Sequence, residues 1–182
     1  MGAGLYQRGA LTAMVRYGTL GAMAEIELAH LSHRLDDEEM KTLSRLLEEA
    51  GAPAFSRADE HLSHTIAARL SEEALTEFLD RLDAHDLGAE IYLPIEFEGR
   101  VTVGEYRVAS TQALLDILEE MREELDVDGE KEEDEDEEED EDEEEEEDEG
   151  TVIEAQLRHI WHLVADGAVE SIEKGLPLHL QT

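Results

Sequence analysis

Between residues 130 and 149 the chain carries 19 acidic side chains and a single lysine, Lys131, with no apolar residue among them. Like charges at this density repel, and nothing there can be buried, so residues 126–150 are expected as a disordered acidic loop. Glutamate has fair helix propensity, but carboxylates four residues apart repel, so a helix through the run has weak support at neutral pH. The run is not a tail. Order is expected to return at Thr151, where Val152, Ile153, Leu157, Ile160, Trp161, Val164, Ala168, Val169 and Ile172 form a broad apolar stripe. Gly175 and Pro177 should stop that helix, leaving 176–182 as a tail. A helix beyond a charged loop must pack on its own domain, on a second copy or on another protein. A homodimer through this C-terminal helix or through a strand edge is therefore an expectation.

Charge narrows the partners. The formal net charge is −36, and the acidic run and the remainder of the chain contribute equally to it. Both parts repel nucleic-acid phosphate and anionic lipid, so neither direct nucleic-acid binding nor membrane binding is expected, and a basic protein partner is. There is no cysteine, which removes disulfides, thiolate zinc sites and cysteine nucleophiles together. No apolar run approaches the roughly 20 residues that span a bilayer. A soluble, cytoplasmic protein is the expectation. With aromatics at 4%, the core has to be built from Leu, Ile, Val and Ala.

Residues 1–23 form an N-terminal extension. Through position 24 it holds Arg8 and Arg16 and no carboxylate, in a chain otherwise dense with them. Three readings stay open: translation starting at Met23, an arginine-bearing targeting peptide, or a helix docking on the acidic body.

Residues 24–125 read as one α+β domain. Ala24, Ile26, Leu28 and His30 would share one strand face, with Glu25 and Glu27 on the other. Asp36 with Glu39 has the spacing of a capping box, and Met40, Leu43, Leu46, Leu47 and Ala50 follow at helical spacing up to Gly51 and Pro53. A second strand face, Leu62, His64, Ile66, Ala68 and Leu70, precedes a helix capped by Ser71. His30-Leu31-Ser32-His33 echoes His61-Leu62-Ser63-His64, as a decayed duplication or a chance likeness would. Ile91, Leu93, Ile95 and Phe97 alternate with polar neighbours, Glu98-Gly99 predicts a two-residue hairpin turn, and Val101 and Val103 continue beyond it. Gly104 shifts the phase and predicts a bulge, while Pro94 predicts an edge strand. A third helix starts at Ser110. The predicted order is βαβα-ββα, a small sheet with helices mainly on one face, plus the C-terminal helix after the acidic loop.

Six of the eight histidines fall into three His-x-x-His pairs: His30/His33, His61/His64 and His159/His162. Residues three apart share a helix face but not a strand face, so only the third pair is placed to share a metal. All six are candidate metal ligands, for a transition metal, against the alternative of surface histidines in a chain poor in lysine. The glutamate of a His-Glu-x-x-His zinc helix is missing. Glu27-Leu28-Ala29-His30 has the spacing of a di-iron half-site, but it stands alone and on a strand-like segment. The acidic run lacks the alternating loop of an EF-hand. There is no nucleophile elbow and no phosphate-binding glycine loop. His85, between Asp83 and Asp86, is a weak candidate for acid–base chemistry. The reading with most support is a non-enzymatic interaction or regulatory domain that attracts a basic protein electrostatically. The alternatives are a metal- or small-ligand-binding regulatory domain using the paired histidines, and an enzyme of unrecognised type.

Overall fold

A computed structural model describes residues 23–55, 63–127 and 149–182 of the chain. The readings of residues 1–22, of His61 and of the acidic run fall outside these residues. The rest is α+β: six strands in one mixed sheet, four α-helices and a short 3-10 turn among the described residues. Strand β1 (Met23–Ala29) leads through the 3-10 turn Leu31–His33 to α1 (Asp37–Glu49). Then come β2 (Ser63–Ser71), α2 (Glu72–Ala84), β3 (Ile91–Leu93), β4 (Arg100–Val103), β5 (Tyr106–Ser110) and α3 (Thr111–Glu124). The chain ends with α4 (Glu149–Lys174) and β6 (Leu178–Gln181). In space the strands run β2-β1-β6-β3-β5-β4.

The helix starts follow their caps. Asp36 Oδ1 accepts from the backbone N–H groups of Glu38 and Glu39, and the Glu39 carboxylate accepts in return from the Asp36 N–H at 2.9 Å. That reciprocal pair satisfies donors a helix start would otherwise leave open. Ser71 and Ser110 cap α2 and α3 in the same manner, each hydroxyl accepting from the first turn.

Alternation along the strands sorts the core into two layers. Ala24, Ile26, Leu28, Tyr92, Ala109, Leu178 and Leu180 face α2, α3 and α4. Ile91, Leu93, Val103 and Val108 face the opposite side, where Leu43 and Leu47 of α1 and Leu31 and Leu35 cover them. Helices thus lie mainly on one face, with α1 alone on the other. Gly167 lets α4 lie close to the sheet: a Cβ there would stand 3.1 Å from Leu178 Cδ1 and closer still to Ile66.

Five local expectations give way. The turn at Glu98-Gly99 joins no hairpin, because β3 ends at Leu93 and Pro94, lacking an N–H, cannot extend the ladder. The hairpin is β4–β5, turning at Gly104 with φ +60°, so this glycine is a turn residue and not a bulge. Pro94 therefore marks the end of an interior strand, paired to β5 and β6, and not an edge. The alternating apolar face nevertheless continues past β3: Phe97 is buried and Ile95 packs beside it on the α1 side. In β2 strict alternation fails, since two register shifts against β1 slip Ile66 and Arg69 out of phase, and Arg69 takes φ +64°. Finally, residues 178–181, expected within a tail, form β6 in the interior of the sheet, where Leu178 and Leu180 add to the core.

Candidate functional site

Two features carry chemistry. The first is an acidic pole. Helices α3 and α4 pack antiparallel: Thr111 Oγ1 and Ser171 Oγ lie 3.4 Å apart at one end, and the Trp161 indole N–H donates to the Leu118 carbonyl at 2.8 Å further along. The end of α3 and the start of α4 therefore meet at one pole. Arg81, late in α2, reaches Glu154, early in α4, at 2.9 Å, which brings the end of α2 there too. The C-terminal helix, left open by its sequence, thus packs on α2, α3 and the sheet of its own chain.

Asp116, Glu119, Glu120, Glu123 and Glu124 are exposed along α3 and Asp126 lies just past its end, with one basic neighbour, Arg122. Glu119 and Glu120 are 72% and 65% exposed in their side chains. This placement opposes helix physics twice. Glu123 and Glu124, in the last turn, face the negative end of the macrodipole, each at a cost of about 0.3–1 kcal/mol at low salt. Glu119 and Glu123, and likewise Glu120 and Glu124, are like charges four residues apart. A cation against this face would relieve both penalties.

His85, at the end of α2, lies within this pole. Its Nδ1 is 3.7 Å from Glu120 and its Nε2 is 3.8 Å from Glu124. The two carboxylates meet opposite nitrogens, so the ring bridges them and presents no shared coordination point. Its sequence neighbour Asp83 turns away to Arg100 and Arg107, and the Arg100 hydrogen bond holds the Asp83 carboxyl below its usual range. The Arg107 guanidinium and backbone N–H both grip Glu90.

The second feature is a polar cluster where β1 meets β6. His30, which caps the 3-10 turn, is buried, and its Nδ1 accepts from the Ser32 N–H at 3.2 Å with the Ser32 hydroxyl at 2.8 Å. Arg34 donates to Glu27 at 3.0 Å, and Glu27 also accepts from Gln181 at 2.8 Å. His179, 1% exposed, contacts the Ala29 carbonyl through Nε2 at 3.0 Å. Burial and the nearby Arg34 push its pKa down to about 4. Alternation alone sets His179 on the face opposite Leu178 and Leu180, so nothing local in the sequence signals its burial.

The paired histidines are distributed as follows. His30 is buried while His33 is exposed on the 3-10 turn. His64 is exposed on β2, 4.0 Å from Glu170 of α4. His61 lies outside the described residues. His159 and His162 are both exposed on α4, and the His162 ring meets Trp161 edge-on at 5.1 Å. Among the described residues no three His, Asp or Glu side chains are placed to hold a metal ion. Nor is any helix among them long and apolar enough to cross a membrane. No protein-family model matches the sequence, and no curated protein or solved structure is similar to it.

Proposed function

We propose that this is an interaction domain whose acidic pole receives a basic protein partner, without a catalytic role. The observation that carries the reading is the antiparallel α3–α4 pair. It sets the two attachment points of the acidic run side by side, at a pole where α3 already concentrates exposed carboxylates. The run and the folded carboxylates then act as one negative field. Such a field accelerates encounter with cationic surfaces and favours them over neutral ones, and it weakens as salt rises. Carboxylates at an unfavourable helix end are the kind of group a bound cationic surface would stabilise.

A lysine-rich peptide is a suitable probe. Titrated into the isotopically labelled full chain at low salt, it should shift backbone amide signals of Asp116–Asp126 most. A chain with Glu119, Glu120, Glu123 and Glu124 all changed to Gln should bind several-fold more weakly. Shifts spread evenly over the surface, or equal affinity in the two chains, would count against a pole-centred site.

A further inference from the structure

We infer that His179, held between β1 and the 3-10 segment, is an acid-operated latch on the strand that joins the two halves of the sheet. Among the described residues, β6 is the only strand that joins the pair β2-β1 to the trio β3-β5-β4. On one side it pairs with β1 over four positions, and on the other with β3 over only two, Ile91↔His179 and Tyr92↔Leu178. One more backbone bond supports the weaker side, from the Leu180 N–H to the Glu90 carbonyl at 2.9 Å. His179 belongs to both ladders.

Its surroundings favour the neutral ring. With Nε2 donating to the Ala29 carbonyl, Nδ1 is left as an acceptor, buried and without a hydrogen-bond partner. A proton added at Nδ1 would create a buried charge with no acceptor, which is among the costliest arrangements in an interior. The charged and titratable groups that face it do not rescue it. From β1 comes Glu27, already engaged by Arg34 and Gln181. The 3-10 segment supplies His30, His33 and Arg34, all of which disfavour a further positive charge. Glu90, before β3, is held by Arg107. Across β3 the partner is the apolar Ile91.

The direction of the pH effect follows. An unfolded histidine takes its proton near 6.5, whereas in the fold this ring resists until about 4. Between those values the open chain binds more protons than the closed one, so the stability supplied by neutral His179 is complete above pH 6.5 and drains away down to about pH 4. Most of this window lies above the range in which ordinary carboxylates titrate, so the loss precedes general acid unfolding. Over the whole window the opening equilibrium should rise roughly 300-fold. The β3–β6 seam, with the fewest pairs, should open first.

Hydrogen exchange on the full chain from pH 7 to pH 4.5, corrected for intrinsic rates, tests this. The Leu180 amide should lose protection preferentially, by tens-fold by pH 4.5, while amides inside α1 keep theirs. His179→Gln, which retains a donor for Ala29 and cannot be charged, should flatten that dependence. The ring signal of His179 in the unaltered chain gives a second readout that does not depend on the variant folding. A midpoint near 6.5, or seam protection that falls identically in the Gln variant, would overturn the latch. Neither result bears on binding at the acidic pole.

Discussion

If the acidic run is an insertion into an antiparallel helix pair, the fold should not need it. Replacing residues 128–148 with eight Gly/Ser residues tests this directly. From Leu118 to the end of α3 is about 10 Å, and from Trp161 back to Glu149 is about 18 Å, at 1.5 Å per residue. With axes some 9 Å apart, the ends to be joined are about 12 Å apart, well within reach of an eight-residue linker. The closing loop shortens from the 23 residues of 126–148 to about 10, which on the (3/2)RT ln n scaling favours the folded state by about 0.7 kcal/mol. Removing the self-repelling carboxylates should add to this at low salt, and the addition should fade as salt shortens the Debye length to about 3 Å at 1 M. Urea unfolding of both chains, at low salt and at 1 M salt, reads out the two contributions. The shortened chain should be more stable in both, and by more at low salt. A loss of 1 kcal/mol or more, or a non-cooperative transition, would refute the antiparallel closure.

Two point substitutions probe how the domain is pinned. The Tyr92 hydroxyl is buried, donates to the Leu87 carbonyl and accepts from the Ala89 N–H, so Tyr92→Phe should cost about 1–3 kcal/mol in urea melts through the orphaned loop groups; an unchanged midpoint would show that the loop does not depend on it. Gly104→Ala strains a left-handed turn and drives a methyl into the Glu39 carboxylate that caps α1, so about 2 kcal/mol should be lost together with helical signal; a neutral change would mean that hairpin and cap are independent.

Much of the architecture was legible because local signals agreed with the fold. Asp36 with Glu39, Ser71 and Ser110 each named a helix start, and alternation placed Ile26, Leu28, Ile91 and Leu93 on their faces. What escaped notice depended on long-range pairing. Pro94 can stop a strand or mark an edge, and only the arrival of β5 and β6 on either side of β3 decides between these. Leu178–Gln181 is too short to announce a strand, and its place between β1 and β3 is fixed by ladders with residues far back in the chain. The acidic character of the pole was plain in the sequence, but its geometry required α3 and α4 to be antiparallel. His179 was missed because its environment comes from Ala29, His30 and Arg34, all remote in sequence.

The most direct test of the central claim is affinity capture from cell lysate with the full chain and the shortened chain side by side, at low and moderate salt, with the bound proteins identified by mass. A basic-partner domain predicts a discrete cationic protein that is retained by the full chain at low salt, released as salt rises, and markedly reduced with the shortened chain or with the four-Gln α3 variant. A protein held equally by all three chains and indifferent to salt would contradict the claim and move recognition to a surface away from the acidic pole.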